Sequence, residues 1–269
     1  MTSTAEILAF ALELADCADA IALRTYRGDQ EIARKSDGSF VTPADVEAEA
    51  VMRARIAERF PEHAVLGEEE GDDSAARDSS ARWILDPIDG THSYMRGIPV
   101  WATLIAFERG GTKEVGVVSA PALGTRWWAG RGMGAFRGSA GGQIHDEIEQ
   151  IQVSSVDNLA EAQVSCGDIV STLDCWPGAR GLLDVAWRVR AFGDFWGFCL
   201  VAEGSADVMI DGADLSPWDV AALIPIVEES GGRFTDADGT GDRAAGPQIA
   251  TNGRLHDEVV RRLTESASQ

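Results

Sequence analysis

Cationic residues are scarce: 23 Lys and Arg stand against 44 Asp and Glu, for a formal net charge of −21 over 269 residues. Such a field repels polyanions, which argues against nucleic acid and anionic membrane surfaces as partners. Histidine is rarer still, with four in the chain, and no His-Glu-x-x-His or Cys-x-x-Cys spacing occurs, so zinc has no ligand set. The four cysteines, Cys17, Cys166, Cys175 and Cys199, are scattered. That spacing excludes a disulfide framework and suits a reducing cytoplasm; without an adjacent catalytic His, all four read as core residues. No apolar run approaches the roughly 20 residues of a membrane span. Glu6, Glu13 and Asp16 interrupt the N-terminal apolar residues, so a secretory leader is not expected.

What is present suffices for a large core. Apolar residues make up 45% of the chain, enough for one domain, or two intimately packed lobes of about 1–140 and 141–269. The 3–4 spacing of Ile7, Leu8, Ala11, Leu12, Leu14, Ala15, Ala18, Ile21 and Ala22 predicts a helix from Thr4, its N-cap, to Arg27. A second helix is expected from Pro43 to Phe60, with Thr42 as N-cap and Asp45 three residues on. Lys35–Ser39 reads as a polar loop and Asp72–Ser80 as a mobile surface loop. Strands are expected at Trp83–Leu85, Val100–Phe107, Glu114–Ala120 and Thr125–Ala129, the last three as an antiparallel meander. Further strands are expected at Ile151–Val153, Ala162–Ser165 and Val185–Ala191, with helices at Phe195–Glu203 and Pro217–Ser230. Residues 138–150 carry no legible pattern. Strands and helices in runs predict a layered α+β arrangement.

Three acidic groups fall where elements end: Glu68-Glu69-Glu70, Asp86 with Asp89, and Asp219. Asp86 and Asp89 flank Pro87-Ile88, so one turn can aim two carboxylates and the Ile88 carbonyl at a common point, the oxygen-only set that hard divalent cations take. Gly90 and Thr91 follow at the start of a short helix, where backbone amides accept an anion such as phosphate. Metals beside an anion cradle point to phosphoryl chemistry, and bound cations supply the positive charge that an acidic protein lacks. Singly, each element also has an ordinary reading: a solvated acidic loop for Glu68–Glu70, a turn for Asp86–Gly90, a favourable helix start for Asp219.

Together, Gly67-Glu68-Glu69, Trp83-Ile84-Leu85-Asp86-Pro87-Ile88-Asp89-Gly90-Thr91, Trp218-Asp219-Val220-Ala221-Ala222 and Glu229-Ser230-Gly231-Gly232 resemble the inositol monophosphatase superfamily. The resemblance extends to Lys35-Ser36, Val41–Asp45 and Ala250–Gly253 with His256, nearly the whole chain. It implies an αβαβα layered sandwich, a homodimer, and two or three Mg²⁺ per site, with Mn²⁺ as the alternative metal. It implies that Glu68, Asp86 and the Ile88 carbonyl hold the first cation and Asp86, Asp89 and Asp219 the second. By the same resemblance, Glu68 and Thr91 orient the attacking water, Asp45 polarises the Thr91 hydroxyl, and no covalent intermediate forms.

A narrower similarity, in Asp89–Ile105, Phe192–Trp196 and Leu200–Gly204, is to the histidinol-phosphate phosphatases of that superfamily. A substrate with an ammonium and an imidazole calls for acids beyond the metal ligands. Asp194, Asp211 and Asp214 are the candidates, with Arg190 as a further contact, although Asp211-Gly212 also reads as a turn and Asp214 as a cap. The alternatives are an inositol-1-phosphatase, a broader sugar-phosphate or nucleotide 3′-phosphatase, and a catalytically silent metal- or phosphate-binding regulator. The intact acidic set speaks against the last.

Overall fold

In the computed structural model of the chain, the described residues are 2–28, 32–35, 38–73, 78–141, 148–241 and 245–265. The first helix, α1 (Thr4–Thr25), buries the stripe read from the sequence, but its N-cap is Ser3 rather than Thr4. Ser3 has Glu6 three residues ahead, and each side chain takes the other's amide in a capping box; Thr4 has no such partner. Helix α2 (Pro43–Arg59) starts as expected at the Thr42 cap, with Asp45 Oδ2 accepting from the Thr42 amide at 2.8 Å. Between them lies a small ribbon of β1 (Ala33–Arg34) and β2 (Phe40–Val41). Ser36 and Asp37 of the expected loop lie outside the described residues.

An eight-stranded sheet follows from β3 (His63–Gly67), β4 (Gly71–Asp72), β5 (Asp78–Asp89), β6 (Ala102–Arg109), β7 (Thr112–Ala120), β8 (Thr125–Gly130), β9 (Gly134–Ser139) and β10 (Glu149–Ile151), in spatial order β10-β9-β8-β7-β6-β5-β3-β4. The expected meander is its centre, and β3 lies parallel to β5. The loop predicted at Asp72–Ser80 is shorter than expected, because Asp72 ends β4 and β5 already begins at Asp78; residues 74–77 lie outside the described residues. The illegible stretch supplies the end of β9 and the start of β10, with 142–147 outside the description. The strand expected at Ile151–Val153 is β10, two residues earlier.

Strand β6 shows why this sheet reads as near-continuous apolar runs. Ala102, Leu104 and Ala106 enter one core while Ile105 and Phe107 enter another, since successive side chains take opposite faces and helices cover both. Helices α1 and α2 pack Ile7, Leu14, Met52 and Ile56 against Trp83, Leu85 and Phe107. On the other face lie α6 (Asp194–Ala202), α7 (Pro217–Val220) and α8 (Leu223–Glu229).

Beyond these helices stands a five-stranded sheet of β11 (Gln163–Cys166), β12 (Arg188–Arg190), β13 (Val208–Asp211), β14 (Arg233–Asp236) and β15 (Gln248–Thr251), in the order β12-β11-β13-β15-β14. Its Met209 and Ala250 share a core with α6 and α8, while Val164, Val208 and Ile210 pack against α4 (Ile169–Cys175), α5 (Ala179–Val185) and α9 (His256–Thr264). The layers therefore run αβαβα. The remaining helix, α3 (Thr91–Met95), follows β5 directly.

Three expectations need correction. The single helix predicted over Pro217–Ser230 is two, because Pro225 cannot donate to the Ala221 carbonyl. The strand predicted over Val185–Ala191 is confined to Arg188–Arg190, since Ala179 and Leu182 pack as a helical pair and carry α5 through Val185. Of the cysteines, Cys166 and Cys199 are buried, whereas Cys17 and Cys175 are only half-buried; all four are free. Among the described residues no helix is long and apolar enough to cross a membrane.

Candidate active site

Strand β5 runs into the site and is bent there by its own sequence. Asp86 pairs with Leu104 and Asp89 with Ala102, so three steps on β5 oppose two on β6. That extra residue is a β-bulge around Pro87, which has no amide to give to the ladder. Residues three apart on a regular strand face opposite ways; the bulge turns Asp86 and Asp89 to the same face, the one that Leu104 and Ala102 share. The Thr103 hydroxyl pins the bulge by donating to the Pro87 carbonyl at 2.8 Å.

Asp219 approaches from α7 on that face. Three carboxylate oxygens, one each from Asp86, Asp89 and Asp219, lie within 4.8 Å of one another. Two of the acids are anchored by backbone amides: Asp89 Oδ2 accepts the Phe195 amide at 2.8 Å, and Asp219 Oδ2 accepts the Ser216 amide at 2.7 Å in a capping box. Asp86 is buried, and its Oδ1 has no hydrogen-bond partner. Burial, then the charges of Glu68, Asp89 and Asp219, push Asp86 well above the usual carboxylate range. Asp89 is pushed up likewise by burial and then Asp194 and Asp219. Asp219 rises to about 7, chiefly from burial. Anions crowded in this way are stable together only with compensating positive charge, and an orphaned buried carboxylate oxygen wants a partner. The donor set is all oxygen, so the residues fit a hard divalent cation.

Glu68 leaves the end of β3, its amide donating to the Leu85 carbonyl at 3.2 Å. Lys35 Nζ sits 2.8 Å from both Glu68 Oε1 and Glu69 Oε1. Gly90 caps α3 in the left-handed region, φ 77°, and a Cβ there would meet the Val100 carbonyl oxygen at 3.0 Å. The Ser93 and Tyr94 amides fold back to the Gly90 carbonyl, so the amides ahead of them have no acceptor within the helix. Thr91 Oγ1 donates to the Ile88 carbonyl at 2.9 Å. The Asp45–Thr91 pairing expected from the sequence is not among the hydrogen bonds. Asp45 is instead bound to the Thr42 amide and hydroxyl, with Oδ1 buried and unpartnered. Burial raises Asp45 to about 7.

The candidate substrate contacts divide. Asp194 heads α6 with φ 51°, an uncommon backbone for a non-glycine residue, and its Oδ2 would lie 3.4 Å from a Cβ on Gly90. Asp211 is buried against Gly167, where no Cβ fits, and is raised to about 6 by burial and then by Asp194 and Asp168, against the Ala213 amide. With Glu68, these two also raise Asp219. Asp214 is exposed, and Arg190 turns its guanidinium to the Val189 carbonyl at 2.7 Å. Sequence reasoning missed Thr103 and Glu49, which is buried on α2; the signal for Glu49 was its place one helical turn after Asp45.

An αβαβα protein with an oxygen-only cation site beside a glycine-opened helix start is the class that fold and site define. The model describing the inositol monophosphatase family matches residues 3–268, and the chain belongs to that metal-dependent family. It is 46% identical over 263 residues to the histidinol-phosphatase of Mycobacterium tuberculosis, covering 95% of this chain and 97% of that one. It is 42% identical to the histidinol-phosphatase of Streptomyces coelicolor, with 94% of each covered. The solved inositol monophosphatase of Thermotoga maritima superposes with a TM-score of 0.83 at 29% identity over 96% of each chain. That of Anabaena gives 0.81 at 29% identity, covering 97% of this chain and 96% of the other.

Proposed function

We propose that the protein is a Mg²⁺-dependent phosphomonoesterase that hydrolyses histidinol phosphate to histidinol and phosphate, a step of histidine biosynthesis. The convergence of Asp86, Asp89 and Asp219 carries the chemistry. The likeness to two histidinol-phosphatases across the whole chain supports the substrate. In this reading Glu68, Asp86, Asp89, Asp219 and the Ile88 carbonyl hold two to three Mg²⁺, or Mn²⁺. Bound there, the cations would supply Lewis-acid neutralisation of phosphate oxygens and would lower the pKa of a water so that it could lose a proton and serve as the nucleophile.

The chain's own groups do the rest. Thr91, its proton committed to the Ile88 carbonyl, presents lone pairs that accept a hydrogen bond from the attacking water. Glu68 is the second acceptor for that water. The amides of Gly90, the cap, and of Thr91, the first residue of α3, donate to the phosphate. Asp45 is held by the Thr42 amide and hydroxyl and has no part in orienting the Thr91 hydroxyl. Asp194 and Asp211 face the ammonium and imidazole, with Asp214 and Arg190 at greater remove. The protein acts as a cytoplasmic homodimer on a small phosphate monoester, an assembly that light scattering tests directly.

Phosphate release from histidinol phosphate, inositol 1-phosphate and fructose 1,6-bisphosphate, each with Mg²⁺, Mn²⁺ and EDTA, is the deciding assay. A metal-dependent preference of about 100-fold for histidinol phosphate, roughly 2.7 kcal/mol of transition-state discrimination, is expected. Equal turnover of inositol 1-phosphate would discard the substrate and keep the chemistry. EDTA-resistant activity would discard both.

A further inference from the structure

Glu49 is fully buried and belongs neither to the carboxylate cluster nor to the hydrophobic core around it. Its place on α2, one turn after Asp45, brings its carboxylate under the Gly67–Glu70 turn. Oε2 accepts the Glu69 amide at 2.8 Å; Oε1 accepts the Glu70 amide at 3.0 Å and Arg53 Nε at 2.8 Å. Arg53 continues to the Val65 carbonyl at 3.4 Å and to the Gly71 carbonyl, so one guanidinium ties together the two strands that flank the turn. Gly67 completes the clamp, since a Cβ there would lie 2.2 Å from Glu49 Oε1.

Two consecutive amides aimed at one point call for an anionic acceptor. Burying that anion is tolerable only with hydrogen bonds and a paired cation, and the two amides and Arg53 provide them. Glu68 sits immediately before the clamped amides, its own amide held from the other side by Leu85. Leu85 directly precedes Asp86 and pairs with Gly67, so the backbone at Glu68 lies against the strand that carries that carboxylate. Backbone freedom at Glu69 and Glu70 would let the Glu68 carboxylate swing away from Asp86.

We infer that Glu49, assisted by Arg53 and by the missing side chain at Gly67, is a positioning residue that fixes the Glu68–Glu70 turn and thereby sets the site's affinity for divalent cations. The inference rests on the reading of Glu68 as a cation ligand. Glu49 touches neither substrate nor cation; it acts through the backbone of the turn.

The test is Mg²⁺ binding to metal-stripped protein, followed by calorimetry, for the wild type, Glu49→Gln, Gly67→Ala and Arg53→Lys, with a thermal unfolding curve for each. In Glu49→Gln one amide keeps an acceptor and the other meets an NH₂ group. Gly67→Ala keeps every charge and displaces the carboxylate sterically. Both are expected to weaken Mg²⁺ binding about 10-fold or more, which is about 1.4 kcal/mol, with cooperative unfolding retained. Arg53→Lys, which keeps the charge and loses the fork, is expected to weaken it about 3-fold. The Mg²⁺ concentration for half-maximal phosphatase activity should rise in parallel, with kcat at saturating Mg²⁺ changed much less. Should Glu49→Gln fail to fold, Gly67→Ala and Arg53→Lys decide. Folded variants that bind Mg²⁺ as the wild type does would overturn the inference, since a merely structural Glu49 would lower Tm and leave the affinity alone. A wild type that binds no Mg²⁺ would instead remove the cation-site reading itself.

Discussion

Replacing Asp45 by Asn should change how the stability of the metal-free protein depends on pH, by an amount that follows from the burial of this one carboxyl group. Asp45 is fully buried, and its desolvation, with Glu69 and Glu68 nearby, lifts it from 3.8 to about 7 against the opposing hydrogen bonds from Thr42. Between those two values the folded protein holds a proton that the unfolded chain has released, so stability falls as pH rises through the window. Integrated from pH 5 to pH 8, the loss is about 2.6 kcal/mol for this group alone, at 1.36 kcal/mol per unit. Asparagine cannot titrate, so it removes that slope whatever constant cost its own hydrogen bonding adds. The assay is urea unfolding of both proteins in EDTA at half-unit intervals. The variant's stability minus the wild type's should climb by about 2–3 kcal/mol from pH 5 to pH 8, and taking the difference cancels every group the two share. Saturating Mg²⁺ should shrink the slope, because added positive charge favours the carboxylate. A difference that stays flat, or falls, would refute the claim that Asp45 is held protonated by burial.

Asp89→Asn, which keeps an acceptor for the Phe195 amide while weakening the three-carboxylate set, should lower kcat about 100-fold or more with an unchanged circular dichroism spectrum; near-normal turnover would sink the ligand assignment. Asp211→Asn should raise KM for histidinol phosphate about 10-fold while leaving a monoester with no cationic leaving group, such as p-nitrophenyl phosphate, unaffected, and equal losses on both would remove Asp211 from the substrate pocket. His256 is buried between the Thr235 and Thr251 hydroxyls, each at 3.1 Å, and is lowered to about 4, mainly by burial. Its unfolded form takes up a proton first, so stability is present above about pH 6.5 and lost as pH falls toward 4. His256→Gln should therefore lose about 2 kcal/mol less than the wild type between pH 7 and pH 5 in urea unfolding, and identical acid sensitivity would contradict the burial argument.

Much of the architecture was legible because periodicity and caps are local. The stripe on α1, the Thr42-Pro43-Asp45 start of α2 and the β6–β8 meander all follow from residues within a few positions of one another. The elements misread were those where a local signal gave way to a competing one. Pro225 divided an apolar run that looked like one helix, and the valines near 185–189 were claimed partly by α5 through its packing. Asp86, Asp89 and Asp219, which the structure gathers, were legible as candidates because a cation site demands carboxylates at such turns and helix starts; Glu68 and Thr91 stand as proposals beside them.

By itself, then, the sequence determined which side chains could bind a cation and an anion, and which stretches would be helix or strand. Only the tertiary structure decided that Asp86 and Asp89 share a face, since a bulge is defined by the partner strand that it opposes. Only packing brought Asp219 from α7, and Asp194 and Asp211 from two further elements, into the electrostatic reach of that pair. It also recruited Glu49 from a helix face that reads as ordinary core and set it against backbone amides twenty residues away. Backbone amides are the same in every sequence, so the need for a buried acceptor becomes visible only once the chain has folded around it.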